Sequence, residues 1–147
     1  MKLLSLAMVA VFVAHAASAN VVATPNPGFV PGQIWSIKSP VPTTAKVIIG
    51  VVEPWNGKIA VHVRVIDIPA PTGTRPNGEL VNIDHVPFEE GALVASVDRL
   101  IATGASVTNE FKHGYDIWRR DRNAGIFEIS VSRAIVIMIE KIRRAKT

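Results

Sequence analysis

The chain has 147 residues, of which 16 are Lys or Arg, 12 are Asp or Glu, 48% are hydrophobic and none is cysteine. That is one domain's worth of sequence, long enough to bury roughly two-thirds of its unfolded surface. With no cysteine, disulfides and cysteine-linked lipid anchoring are excluded, and the core must hold the fold alone.

Residues 1–19 read as a secretory signal peptide. A single cation, Lys2, precedes an apolar block from Leu3 to Ala14, and the stretch closes on Ala17-Ser18-Ala19, the small residues a signal peptidase recognises. The block is shorter than the roughly 20 apolar residues of a membrane anchor. The expectation is export to the periplasm or beyond, with cleavage after Ala19. Residues 20–32 (NVVATPNPGFVPG), rich in Pro and Gly, read as an extended leader, and 33–147 as a single domain.

Within that domain, "QIWSIK" (33–38) is a strand candidate. The run "AKVIIGVVE" (45–53) is rich in β-branched residues, which suit a pleated surface. After the turn Asn56-Gly57, Ile59, Val61, Val63 and Val65 alternate with Ala60, His62 and Arg64, the pattern of a hairpin with one apolar and one wet face. Residues 68–84 read as a long loop, or one hiding an edge strand at Glu79–Ile83; loops of this length are often functional.

A helix of about 13 residues is expected next. Glu89 serves as its N-cap and Phe88 staples to Leu93. Glu89 and Glu90 complement the helix dipole. Leu93, Val97, Leu100 and Ile101 share one face, and Gly104 stops the helix. A second helix is expected over Asn109–Arg122, with Phe111, Tyr115 and Trp118 on one face. Residues 125–132 alternate as a strand. A terminal helix, capped by Ser132, carries Ile135, Met138, Ile139 and Ile142 inward, although the β-branched content of 134–139 also suits a strand. The order implies an α+β fold: a small antiparallel sheet of about four strands with two to three helices packed on one face.

Three chemistries have candidate residues on these elements. A hydrolytic triad would use Asp84, His85 and Ser96. Adjacent residues on an extended segment point to opposite sides, however, and no G-x-S-x-G elbow exists. A metal site would draw on His62, His85, His113, Asp84 and Asp116. No two histidines are spaced i, i+4, and His113–Asp116 fits an exposed helix pair better. No metal or cofactor is therefore expected. Binding candidates are Trp55, an aromatic at a hairpin turn, and the cations Arg119, Arg120, Arg143 and Arg144. Residues 119–147 carry eight cations against three acids, while 20–118 carry a small negative balance. One end of the domain thus attracts anions.

The stretches "PGQIW" (31–35), "HVPF" (85–88) with Ser96 beyond it, "GYDIW" (114–118) and "SVSRAIVIMIE" (130–140) resemble a loose group of small exported bacterial proteins with no assigned activity. The chain departs from that pattern at Glu89, where serine is the usual cap. The resemblance implies that His85-Pro87-Phe88 is a shared structural corner, and it transfers no catalytic residue. The expected function is non-catalytic binding of a protein partner in the cell envelope, in the manner of inhibitor or immunity proteins. The alternatives are a hydrolase or metal-assisted enzyme centred on His85, and a binder of anionic surfaces through the basic end; no specific nucleic acid is expected.

Overall fold

The computed structural model describes residues 28–41, 43–71 and 78–145. The expected signal peptide (1–19), most of the expected leader (20–32) and the middle of the expected 68–84 loop lie outside the described residues. Five strands, β1 (Ile34–Ile37), β2 (Lys46–Trp55), β3 (Lys58–Pro69), β4 (Leu80–Glu89) and β5 (Val97–Ala102), form one antiparallel sheet in the order β4-β3-β2-β1-β5. Three helices accompany it: α1 (Glu90–Ser96), α2 (Asn109–Arg120) and α3 (Val131–Arg144). The antiparallel α+β class is as expected, with one strand more than anticipated. Among the described residues no helix is long and apolar enough to cross a membrane.

The β2–β3 hairpin turns on Asn56 (φ 47°) and Gly57 (φ 76°). Both central residues are left-handed, which matches the twist of the flanking strands. Alternation along β3 then divides its side chains between two faces. Val61, Val63 and Val65 join Val47, Ile49, Val86, Phe88, Leu93, Val131 and Ala134 in the main core, on the face covered by α1 and α3. The alternation along β3 predicts a wet opposite face, with the helices all on the other side. Instead α2 lies across it, so Ala60 and His62 are fully buried. The reason is the amphipathic α2 itself, whose Phe111, Tyr115 and Trp118 need a surface to cover. Gly50 on β2 makes the close approach of α2 feasible, because a Cβ there would collide with the Phe111 ring.

Other boundaries also moved. Glu89 does cap α1, its carboxylate accepting from Ala92 N at 2.9 Å, and Phe88 and Leu93 are both buried in the core. Yet α1 stops at Ser96 and the chain turns into β5, which pairs with the second edge of β1. Leu93 and Val97 are buried while Leu100 and Ile101 are exposed. The helical stripe was a coincidence of spacing, and strand pairing with β1 prevailed over it. Residues 125–130 form no strand; Phe127 makes only an isolated bridge to Phe88. The cap of α3 is Ser130 rather than Ser132, its hydroxyl accepting from Arg133 N, so the β-branched run 134–139 is helical. Finally, β3 and β4 extend into the segment read as a long loop, reaching Pro69 and starting at Leu80.

Candidate functional site

Under α2, two histidines from neighbouring strands meet. His62 (β3) and His85 (β4) lie edge to edge and nearly coplanar, with ring centroids 5.2 Å apart and an interplanar angle of 14°, and His62 Nδ1 lies 2.9 Å from His85 Nε2. Trp118 and Tyr115 stand edge-on to His62 at 4.4 and 4.8 Å, and Phe111 edge-on to His85 at 5.6 Å. The helix sits this low because position 114 is glycine: a Cβ there would lie 2.6 Å from His85 Cβ.

On the far side of His62, Glu53 of β2 gathers three groups. Its Oε1 accepts from the Tyr115 hydroxyl at 2.9 Å, its Oε2 accepts from Arg119 at 2.6 Å, and its Oε1 is 3.1 Å from His62 Nε2. The last contact lies off the axis of an Nε2–H, which makes no hydrogen bond of good geometry, so attraction there is mainly electrostatic. Arg119 also donates to the Tyr115 oxygen at 2.9 Å and lies over its ring.

These contacts favour one pair of tautomers. A carboxylate only accepts, so the proton of His62 belongs on Nε2, facing Glu53. His62 Nδ1 is then the acceptor, and His85 Nε2 must donate to it. This leaves His85 Nδ1 with a lone pair. Burial pushes His62 down from the ordinary 6.5 to about 4; the neighbouring His85 adds to the effect and Glu53 opposes it. Burial alone takes His85 to about 4. Both rings are therefore neutral at physiological pH, poised to accept or relay a hydrogen bond rather than to carry charge. Burial, followed by the hydrogen bond to Glu53, raises the Tyr115 hydroxyl above its ordinary value.

His85 opens onto a groove of about 640 Å³. Residues 82–85 of β4 form its floor, Glu110, His113 and Gly114 of α2 one wall, and Met138 and Ile142 of α3 the other.

The proposed triad residues do not assemble. Ser96 is buried between α1 and α3, donating to Ala92 O at 2.7 Å and accepting from Val131 N at 3.0 Å. Asp84 accepts from Arg64 at 3.2 Å. His85 is tied to His62, and to neither of them. Among the described residues no three His, Asp or Glu side chains form a metal-holding group, and His113 and Asp116 are exposed on α2.

The binding candidates fare unevenly. Trp55 is half-buried, its ring 5.6 Å from Trp118. Arg119 is committed to Glu53 and Tyr115, whereas Arg120 is exposed. Arg143 and Arg144 both pair with Glu140, at 3.2 and 3.7 Å. Sequence reasoning missed Glu53, and it treated His62 only as a metal donor on a solvated face. The available signal was the aromatic stripe of α2, which requires a second covered surface. In comparisons with known proteins, no family model, no curated protein and no solved structure matches the chain.

Proposed function

We propose that the protein is an exported, non-catalytic binding protein that recognises a protein partner in the cell envelope through the groove along β4. One observation carries this reading. β4 ends the sheet, and among the described residues its outer edge is bridged only around Phe88, with Phe127 bonding Pro87 O and Glu89 N. Residues 82–85 continue that edge as the floor of a groove walled by two helices. An open strand edge with apolar and polar walls is suited to an extended segment of a partner, which adds as a further strand while its side chains enter the flanking pockets. Export rests on the Lys2–Ala19 pattern and requires Asn20 as the first residue of the mature chain, which N-terminal sequencing checks.

The test is capture of envelope proteins by the wild-type protein and by Met138→Asp, which places a charge on the apolar wall. A partner retained by the first and lost by the second supports the groove. Equal retention would place the binding surface elsewhere.

A second reading, an enzyme using His85 as a base, is favoured by the Glu53–His62–His85 arrangement, which leaves an unprotonated Nδ1 on His85, a residue that lines the groove. Its test is turnover of activated esters and phosphoesters that disappears in His85→Phe. Activity that survives the substitution would remove that reading.

A further inference from the structure

We infer that the groove selects an aliphatic amine, whose ammonium group donates a hydrogen bond to His85 Nδ1 while its alkyl chain lies against Met138 and Ile142. The inference names the chemistry recognised at the proposed binding surface and rests on that surface being a binding site.

The geometry carries it in three steps. First, the negative charge of Glu53, 3.1 Å from His62 Nε2, attracts the ring proton to that nitrogen, which makes His62 Nδ1 the acceptor from His85 Nε2 and leaves His85 Nδ1 an acceptor. Among the described residues His85 Nδ1 has no hydrogen-bond partner, and it is not among the buried polar atoms that lack one, so solvent reaches it. The ligand group must therefore be a donor. Second, the charged groups at the groove include Glu110 on α2 and Asp84 on β4. Asp84 already faces Arg64, and its side chain remains 46% exposed. Glu110 is exposed at the opposite wall. His113 on α2 is exposed at the same rim. A donor that is also a cation is favoured over a neutral one. Third, Met138, Ile142 and Ile83 supply apolar surface beside the polar floor, which suits the methylene stem of an amine rather than a compact inorganic cation.

The buried relay also explains why a neutral histidine stands here instead of a third carboxylate. The ring offers its lone pair with Phe111 and Gly114 packed against it, where an ionised group would be costly to desolvate. Positioning comes from Glu53 and His62, which touch no ligand themselves.

The amine could be free or the side chain of a lysine in the partner, and the test separates these. Nitrogen-detected NMR on labelled protein first reads the tautomer of His85; the inference requires an unprotonated Nδ1. Titration with n-butylammonium should move the Nδ1 resonance towards that of a hydrogen-bonded nitrogen. Tetramethylammonium, a cation without an N–H, should leave it in place. His85→Phe should weaken n-butylammonium binding about tenfold or more, as expected for loss of a hydrogen bond to a charged group. Glu53→Gln, whose amide can donate to His62, should transfer a proton onto His85 Nδ1 and remove the response.

A lysine-containing extended peptide that binds much more tightly than n-butylammonium, and than its norleucine counterpart, assigns the amine to a partner's lysine. Equal affinity for peptide and n-butylammonium assigns a free amine. A protonated Nδ1 in the unliganded protein, or a tetramethylammonium response matching that of n-butylammonium, would overturn the inference. Lysine and norleucine peptides binding alike would do the same while leaving the groove as a peptide site. Amine binding without any peptide binding would uphold the amine and count against the extended partner.

Discussion

Acidification should weaken this fold well above the pH at which carboxylates take up protons. In the folded protein His62 is wholly inaccessible and its pKa is held at about 4, against 6.5 for an unhindered ring. The unfolded chain therefore binds more protons than the native one between these two values. Stability falls as the pH drops through 6.5, and the loss is complete below 4. Above 6.5 the ring is neutral in both states and contributes no slope. For one such ring the loss is about 1.4 kcal/mol at pH 5.5 and about 3 kcal/mol at pH 4. His85 shifts in the same direction, but the two rings share one hydrogen bond, so the pair titrates as a unit and the losses do not simply add. With a urea dependence of about 1–2 kcal/mol per molar, the denaturation midpoint should drop by about 1 M between pH 7.5 and 5.5. Urea titrations followed by tryptophan fluorescence at the two pH values measure this directly, since Trp118 packs against His62. Replacing both rings by leucine should flatten the pH dependence. A wild-type midpoint that stays in place between the two pH values would refute the claim that the folded state excludes the imidazolium.

Three further outcomes follow from the packing. Phe88→Ala removes a fully buried ring beside Phe127 in the main core, and should cost about 3–5 kcal/mol. That corresponds to a fall in Tm of about 10 °C or more by calorimetry. Gly114→Ala should lower Tm although alanine is the better helix former: the added Cβ meets His85, and overpacking of this kind costs about 1–3 kcal/mol. At the basic end, Arg143→Gln with Arg144→Gln should change the salt concentration that elutes the protein from heparin only slightly. Both arginines already face Glu140, so their charge is partly offset where it stands. A large shift in elution would instead support an anion-binding surface there.

The parts of the fold legible in sequence were those where local chemistry and tertiary environment agree. Asn56-Gly57 demands a left-handed turn, and the valines of β3 alternate with a strict period of two, so the hairpin needed no other information. Glu89 and Phe88 mark a helix entry whatever follows it. The end of α1 was illegible because Val97, Leu100 and Ile101 satisfy a helical stripe as well as a strand. The deciding partner, β1, lies some 60 residues upstream, where Ser36 accepts from Arg99 N. Only pairing across that distance distinguishes the two, and the period of a short apolar run does not contain it.

The histidine site was hidden for a related reason. A period-two pattern states that two faces of a strand differ in polarity, and it does not state that the polar face meets water. Here Ala60 and His62 lie on the less apolar face of β3 and are buried all the same. The face is closed by α2, whose own stripe contains a tyrosine and a tryptophan with polar ends. A purely apolar strand surface would leave the Tyr115 hydroxyl without a buried partner, which is costly. Glu53 and His62 supply the matching polar groups, and Arg119 one turn further on completes the charge balance. The requirement is mutual. A half-polar helix stripe calls for a half-polar sheet face, and each looks solvent-exposed when considered alone. Helical spacing puts Phe111, Tyr115 and Trp118 on one face of α2, and strand alternation puts Ala60, His62 and Arg64 on one face of β3. Fitting the first onto the second would have brought Tyr115 and Trp118 over His62, and His85 with it, since β4 is paired beside β3.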